Sequence, residues 1–314
     1  MNFTTPIVIP KSSFFIDYGT KIISLGSCFA ENIGEKLDYF KFQNETNPFG
    51  IIFNVVSIEK LIERMVNSNY FTENDLFFQN ERWHCFEVHS DLSNNNKLDL
   101  LATLNNLLDK FFLQMQSSNV FIITYGTSWV YRNINSNNVV ANCHKVPQNQ
   151  FTKELLSVET TLKSIQNTIF LIQSVNKNAK FIFTISPVRH IKDGFFENNV
   201  SKSHLFSAIF QLIENKDVFY FPSYEILMDE LRDYRFYKED MLHPSTMAVD
   251  FIWDKFKNSF VNPNAFSTLN EVEIIQKGLQ HRAFNLDSAS HKQFLLQLQE
   301  RTKLIQERFP NILF

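Results

Sequence analysis

Four short runs of the chain are apolar at nearly every position: KIISL (21–25), VFIIT (120–124), KFIFTIS (180–186) and VFYFP (218–222). A strand with one wet face alternates apolar and polar residues. These runs do not, so they read as strands covered on both faces, as in a parallel sheet. Between them, apolar residues recur at three- and four-residue spacing, which is helical periodicity. AENIGEKLDYF follows the first run and IEKLIERMV comes next. LDLLATLNNLLDKFFLQM leads into the second run, ELLSVETTLKSIQNTIFLIQSV into the third and SHLFSAIFQLIE into the fourth. Strands alternating with helices predict a doubly wound α/β layer, whose ligands lie beyond the carboxyl ends of the strands. The Asn-rich segment 67–98 reads as an irregular excursion near the sheet edge. Two helical patterns close the chain without a further strand. The expectation is a single domain over 1–314, with a core at about 20–261 and a C-terminal helical extension at about 262–314.

Composition narrows the class. The chain has 314 residues and is 44% apolar, enough for a sizeable core. Net charge is −3 with no Lys/Arg block, so neither a nucleic acid nor a membrane partner is indicated. Cys28, Cys85 and Cys143 are odd in number and widely spaced, unlike a disulfide framework. The start, MNFTTPIVIPKSSFF, lacks the basic and apolar regions of a signal peptide. No segment approaches the ~18 uninterrupted apolar residues of a membrane span. A soluble, cytoplasmic protein is expected.

The residues just after each strand carry the chemistry. Strand one runs into Gly26-Ser27-Cys28-Phe29-Ala30, where a helix begins. Free N–H groups and the helix dipole favour an anion there. A thiolate at Cys28 would gain from that field, with a lowered pKa, and so would an oxyanion formed nearby. Read locally, Ser27 is equally a helix N-cap and Cys28 a small buried apolar residue. After strand two, YGTSWVYR places Gly126 where the backbone turns or approaches a ligand closely, with Thr127 and Ser128 beside it. VVANCHKVP collects Asn142, Cys143, His144 and Lys145. Neither this cluster nor His84, Cys85 and His89 has the paired spacing of a zinc site, so no metal is expected. After strand three, SPVRH supplies Arg189 and His190. Arg189 could hold a carboxylate or phosphate, or merely a surface ion pair. After strand four and a helical PSYEILMDELRDYRFY, Asp240 and His243 stand three apart, just before Pro244 and another helix. That spacing lets a carboxylate orient an imidazole, the base half of a triad. A lone Asp-x-x-His arises by chance. It is informative here because it falls late in an α/β chain whose first strand ends in a nucleophile.

Together GSCFAENIGEKL, NPFGIIFN, YGTSWVYR, VANCHKVP, TISPVRHIKDG, FPSYEILMDELRDYRFY and DMLHPS resemble the GSCFA family, from about residue 20 to the C-terminus. That family in turn resembles the SGNH (GDSL-type) hydrolases, on few residues. The resemblance implies a three-layer α/β/α, flavodoxin-like fold with a nucleophile just after strand one and a late His as base. Asp240 and His243 match the late motif. Gly50 and Gly126 match glycines of the oxyanion pocket. Two departures change the chemistry. Ser27 falls in the Asp slot of Gly-Asp-Ser and Cys28 in the nucleophile slot, so the attacker becomes a thiol. Gly126 is followed by Thr127 and Ser128 without the expected Asn, leaving Ser128, Asn142 or backbone N–H groups as donors. Losing one such donor typically costs ~10²–10³ in rate.

The function this implies is an SGNH-like hydrolase or acyl-transfer enzyme without a cofactor. It would act on a small-molecule or saccharide ester or thioester, acetyl groups on a saccharide included. Cys28 attacks, with Ser27 as the alternative nucleophile and otherwise the helix cap. His243 moves the proton and Asp240 holds His243. His144, Arg189 and His190 would touch substrate. The alternative is a non-catalytic protein that holds a carbohydrate or acylated ligand on the same scaffold. A cysteine peptidase fits the strand-turn-helix context less well.

Overall fold

Five strands run parallel in one sheet. They are β1 (Lys21–Gly26), β2 (Gln43–Thr46), β5 (Val120–Tyr125), β9 (Lys180–Ile185) and β10 (Val218–Tyr220). The computed structural model describes residues 4–314. Across the sheet the order is β2-β1-β5-β9-β10. Counted along the chain, this is the doubly wound order 2-1-3-4-5 of flavodoxin-like folds. Every β5 residue is buried, and all but the first of β1 and β9. This is why the runs read as continuously apolar: both faces of the sheet are covered.

Two helical layers do the covering. Ile23, Leu25, Phe121, Ile123, Phe181 and Phe183 point to one face. There they pack with α2 (Val55–Val66), α3 (Lys97–Ser117), α4 (Val158–Val175) and α5 (Phe195–Phe210). Ile22, Val120, Ile122 and Ile182 point to the other face. There they pack with α1 (Cys28–Tyr39), α7 (Thr246–Phe260), α8 (Phe266–Gln280) and α9 (Ala289–Arg308). Leu269, Val272 and Ile275 of α8 and Leu298 and Ile305 of α9 belong to this second apolar cluster. The C-terminal helices therefore close the same core. Ser27, Asn54, Asn96, Ser157 and Ser245 cap α1, α2, α3, α4 and α7, each accepting a free N–H of the first turn.

The structure departs from the sequence reading in four places. β2 is the polar stretch QNET, half-buried throughout, and an edge strand needs no apolar run. The stretch 67–98 contains a hairpin, β3 (Leu76–Gln79) with β4 (Arg82–Cys85), turned by Asn80 and Glu81 at positive φ. A small antiparallel sheet joins β6 (Trp129–Asn133), β7 (Val139–Val140) and β8 (Phe151–Leu155). β8 takes Glu154 and Leu155 from the expected fourth helix, which begins only after Ser157. PSYEILMDELRDYRFY is no single helix. One turn, α6 (Ser223–Glu225), widens into a π turn over Ile226–Glu230, and a separate turn at Tyr234–Phe236 is capped by Asp233.

Phe183 is fully buried and stacks on Tyr125 and Phe181. Phe183→Ala should lower stability by about 3–5 kcal/mol, the usual cost of an emptied aromatic site. A fall in the urea unfolding midpoint at constant m-value would show it.

Candidate active site

Along the sheet β1 and β5 are neighbours, and their onward connections leave in opposite directions, from β1 to β2 on one side and from β5 to β9 on the other. A crevice therefore opens beyond the carboxyl end of β1. Gly26 makes the turn into it. Its φ is +131°, and a Cβ there would lie 2.0 Å from the Thr124 carbonyl oxygen, so only glycine fits. The turn is locked on three sides. Gly26 N–H donates to Asn47 Oδ1 at 2.8 Å, Ile52 N–H to Gly26 O at 3.1 Å, and Ser27 N–H to Thr124 O at 3.0 Å.

Ser27 is the N-cap of α1: its Oγ accepts the Phe29 N–H at 3.2 Å, and the residue is buried. Cys28 is the first helical residue and half-exposed. Its thiol is pushed up, against the sequence expectation of a lowered value. Burial is the largest cause and Glu31 adds to it. The Lys202 charge and the N–H groups of Cys28 and Phe29 pull the other way. The helix terminus does favour the thiolate, but desolvation outweighs it.

Asp240 and His243 form one folded unit. Asp240 Oδ1 accepts the N–H groups of Leu242 and His243, both at 2.9 Å, and Oδ2 meets His243 Nδ1 at 2.6 Å. These bonds hold the Asp240 carboxyl down at about 2. A carboxylate only accepts, so Nδ1 carries a proton, and the unprotonated ring nitrogen of a neutral His243 would be Nε2. The loop itself is pinned. Lys238 N–H donates to His243 O at 2.8 Å, and Ser245 N–H to Phe236 O at 2.8 Å.

His243 and Leu242 line one cleft of about 500 Å³ together with Ser27, Cys28, Asn54, Thr127, Ser186, Arg189 and His190. No direct hydrogen bond joins Cys28 to His243 among the described residues. Such contacts often tighten only when substrate is bound. Residues 21–256 match the GSCFA family, and residues 272–314 match the GSCFA domain protein, C-terminal domain. The chain belongs to the GSCFA family. No curated protein is matched by the sequence.

In this GSCFA chain the other expected site residues divide. Arg189 and His190 reach the cleft. The His190 imidazole is pushed down to about 4 by burial, with the Lys202 and His243 charges adding to it, so it is neutral at neutral pH. Gly126 shapes the cleft from beneath: a Cβ there would lie 2.9 Å from Phe53 Cβ and 3.2 Å from His190 Nε2. Its N–H is already given to Phe53 O at 2.8 Å, so it is not a free oxyanion donor. Gly50 lies elsewhere, in a turn with φ +73° where a Cβ would strike His89. Ser128 is fully buried and bonded to Ser201. Asn142 Oδ1 accepts the His144 N–H at 2.8 Å, and buried His144 bonds the Cys85 carbonyl at 2.7 Å. These two belong to the structure around the β3–β4 hairpin and do not line the cleft.

Two cleft residues escaped sequence reasoning. Asn54 caps α2 through Oδ1, which accepts the Ser57 N–H at 2.8 Å. That leaves its Nδ2 amide as the group able to donate into the cleft. Lys202 lies beneath, on α5, only 2% exposed. Its Nζ donates to Gly126 O at 2.6 Å and to Ser186 O at 2.7 Å, tying together the loops after β5 and β9. Neighbouring Ser201 hooks the same loop: its Oγ bonds Thr127 Oγ1 and accepts the Ser128 N–H, both at 2.7 Å. Burial pushes the Lys202 ammonium down to about 7, with Cys28 acting in the opposite sense. A signal existed. Asn198, Ser201 and Lys202 share the helical stripe of Leu205 and Ile209, where a charged residue is out of place unless it has buried partners. No group of three or more His, Cys, Asp or Glu able to hold a metal occurs among the described residues. Nor is any described helix long and apolar enough to cross a membrane.

Burial pushes Cys143 to about 11 and Cys85 to about 12, and only Cys28 has the Lys202 charge nearby among its leading influences. Iodoacetamide should therefore label Cys28 first and Cys85 last, as read by peptide mass spectrometry. Lys202→Met should slow Cys28 about tenfold at neutral pH while leaving Cys143 unchanged, because a nearby cation favours the thiolate. Equal labelling of all three thiols would sink this assignment.

Proposed function

We propose that the chain is an SGNH-like acyl hydrolase or acyltransferase with Cys28 as nucleophile and His243–Asp240 as base and orienting group. The observation that carries this reading is the 2.6 Å bond between Asp240 Oδ2 and His243 Nδ1 at the rim of the cleft that Cys28 lines. His243 Nε2 takes the thiol proton, and the Cys28 sulfur adds to the carbonyl carbon of an ester or thioester. The Cys28 N–H at the start of α1 and the Asn54 Nδ2 amide serve the oxyanion. Asn54 thus stands in for the Asn absent after Gly126. Collapse of the adduct breaks the bond to the leaving oxygen or sulfur, which receives the proton from His243. Water or another acceptor, deprotonated by His243, then attacks the acyl-cysteine, and the proton returns to sulfur. Lys202 holds the floor of the site and favours the thiolate over the thiol. Asp240 stays ionised through the neutral and mildly acidic range, so it keeps accepting from His243 Nδ1–H throughout.

Cys28→Ala and His243→Ala should each lower kcat on a simple aryl ester by at least about 10²-fold, and Asp240→Asn by about 10²–10⁴. Ser27→Ala, which removes a cap, should cost about 1 kcal/mol of stability and leave kcat within a few-fold. Stopped assays on purified variants decide it. If Ser27→Ala abolished turnover while Cys28→Ala kept it, Ser27 would be the nucleophile.

One observation favours a second reading: the net upward push on the Cys28 thiol. A protein that binds an acylated ligand without cleaving it needs no thiolate. Ligand stabilisation retained in Cys28→Ala, with no turnover by the parent chain, would select that reading.

A further inference from the structure

The chemistry of the cleft walls restricts what the acyl group can be. Ile51 and Phe53 form one wall, Val130 and Val140 another, and Val188 and Ile191 a third. They come from three separate parts of the chain: the β2–α2 connection, the small antiparallel sheet and the loop after β9. Of the polar lining groups, Thr127, Ser186 and Asp193 are bonded within the protein, while Arg189, His190 and the Asn54 amide keep donors for the polar end of a ligand. Thr127 Oγ1 bonds Ser201 Oγ and accepts the Trp129 N–H at 3.0 Å. Ser186 Oγ accepts the Val188 N–H at 3.3 Å, and Asp193 is paired with Lys153. A saccharide needs several free donors and acceptors along the walls, because each desolvated hydroxyl left unpaired costs affinity. The walls offer mainly apolar surface. Part of that surface is open to solvent: Ile191 is 40% exposed. An acetyl group would leave most of the 500 Å³ unfilled.

We infer that the cleft takes an apolar acyl chain well beyond acetyl length, with the carbonyl at Cys28 and the chain lying between the Val130–Val140 and Val188–Ile191 walls. The cleavage step rests on the function proposed above; occupancy of the walls does not. Carbonyl chemistry at Cys28 and His243 then needs no saccharide contacts, and preference among substrates comes from methylenes removed from water. Each buried methylene should raise kcat/KM about fourfold, so a chain four methylenes longer should gain about two orders of magnitude.

The test uses the full-length chain with p-nitrophenyl acetate, butyrate and octanoate, and octanoate titrated calorimetrically into Cys28→Ala. Expected are a kcat/KM that climbs from acetate to octanoate and saturable octanoate binding. Ala141→Phe, which narrows the cleft just beyond β7, should remove the octanoate advantage over acetate. Octanoate binding without turnover of any ester supports the apolar ligand and overturns the catalytic reading. Turnover fastest on acetate, with no octanoate binding, overturns this inference and leaves the nucleophile assignment standing. Neither binding nor turnover overturns both.

Discussion

The site depends on a buried lysine held by main-chain carbonyls. Lys202 reaches through the helix layer to Gly126 O and Ser186 O, the first residues beyond β5 and β9. Two strand ends that would otherwise diverge with the sheet twist are thereby joined at one point. Ser201 adds its own bonds to Thr127 and Ser128. The result is a rigid floor under the crevice that the strand order opens at the end of β1. A charge so deeply buried is costly unless it is well bonded. Two short carbonyl bonds are what the fold supplies against that cost, and burial still pushes the ammonium down to about 7.

Electrostatics at Cys28 are a balance of opposing effects. The helix terminus, its N–H groups and Lys202 all favour the thiolate. Burial and Glu31 disfavour it and prevail. In the proposed reaction this thiol gives its proton to His243, whose Nδ1 is held by Asp240. His190 stays neutral for the complementary reason: it is buried beside two cationic or basic neighbours.

Much of the layer structure was legible from the chain. Unbroken apolar runs in β1, β5 and β9 could only be covered on both faces, and the helices between them had to supply the cover. The polar edge strand β2 was illegible because an edge strand carries no core signature. The antiparallel pieces β3–β4 and β6–β7–β8 were illegible because they are short and half-exposed. At the site, Ser27 as cap and Asp240–His243 as a unit follow from local spacing, since both are built within a single turn. Gly50, Ser128, Asn142 and His144 resemble site residues in one dimension, yet their bonds go to the interior.

What the sequence by itself determined is local: strand and helix types, the cap at Ser27 and the pairing of Asp240 with His243. Each depends on residues within a few positions of one another. What only the tertiary structure decided is which distant segments converge. Asn54, from the start of α2, meets the cleft of Cys28 because Gly26, Ile52, Phe53 and Gly126 exchange backbone bonds. Lys202 comes under that cleft because α5 packs against β9 and the loop after β5. Burial reversed the expected sign at Cys28 for the same reason. Desolvation is set by everything that surrounds a group in space, and no spacing along the chain records it.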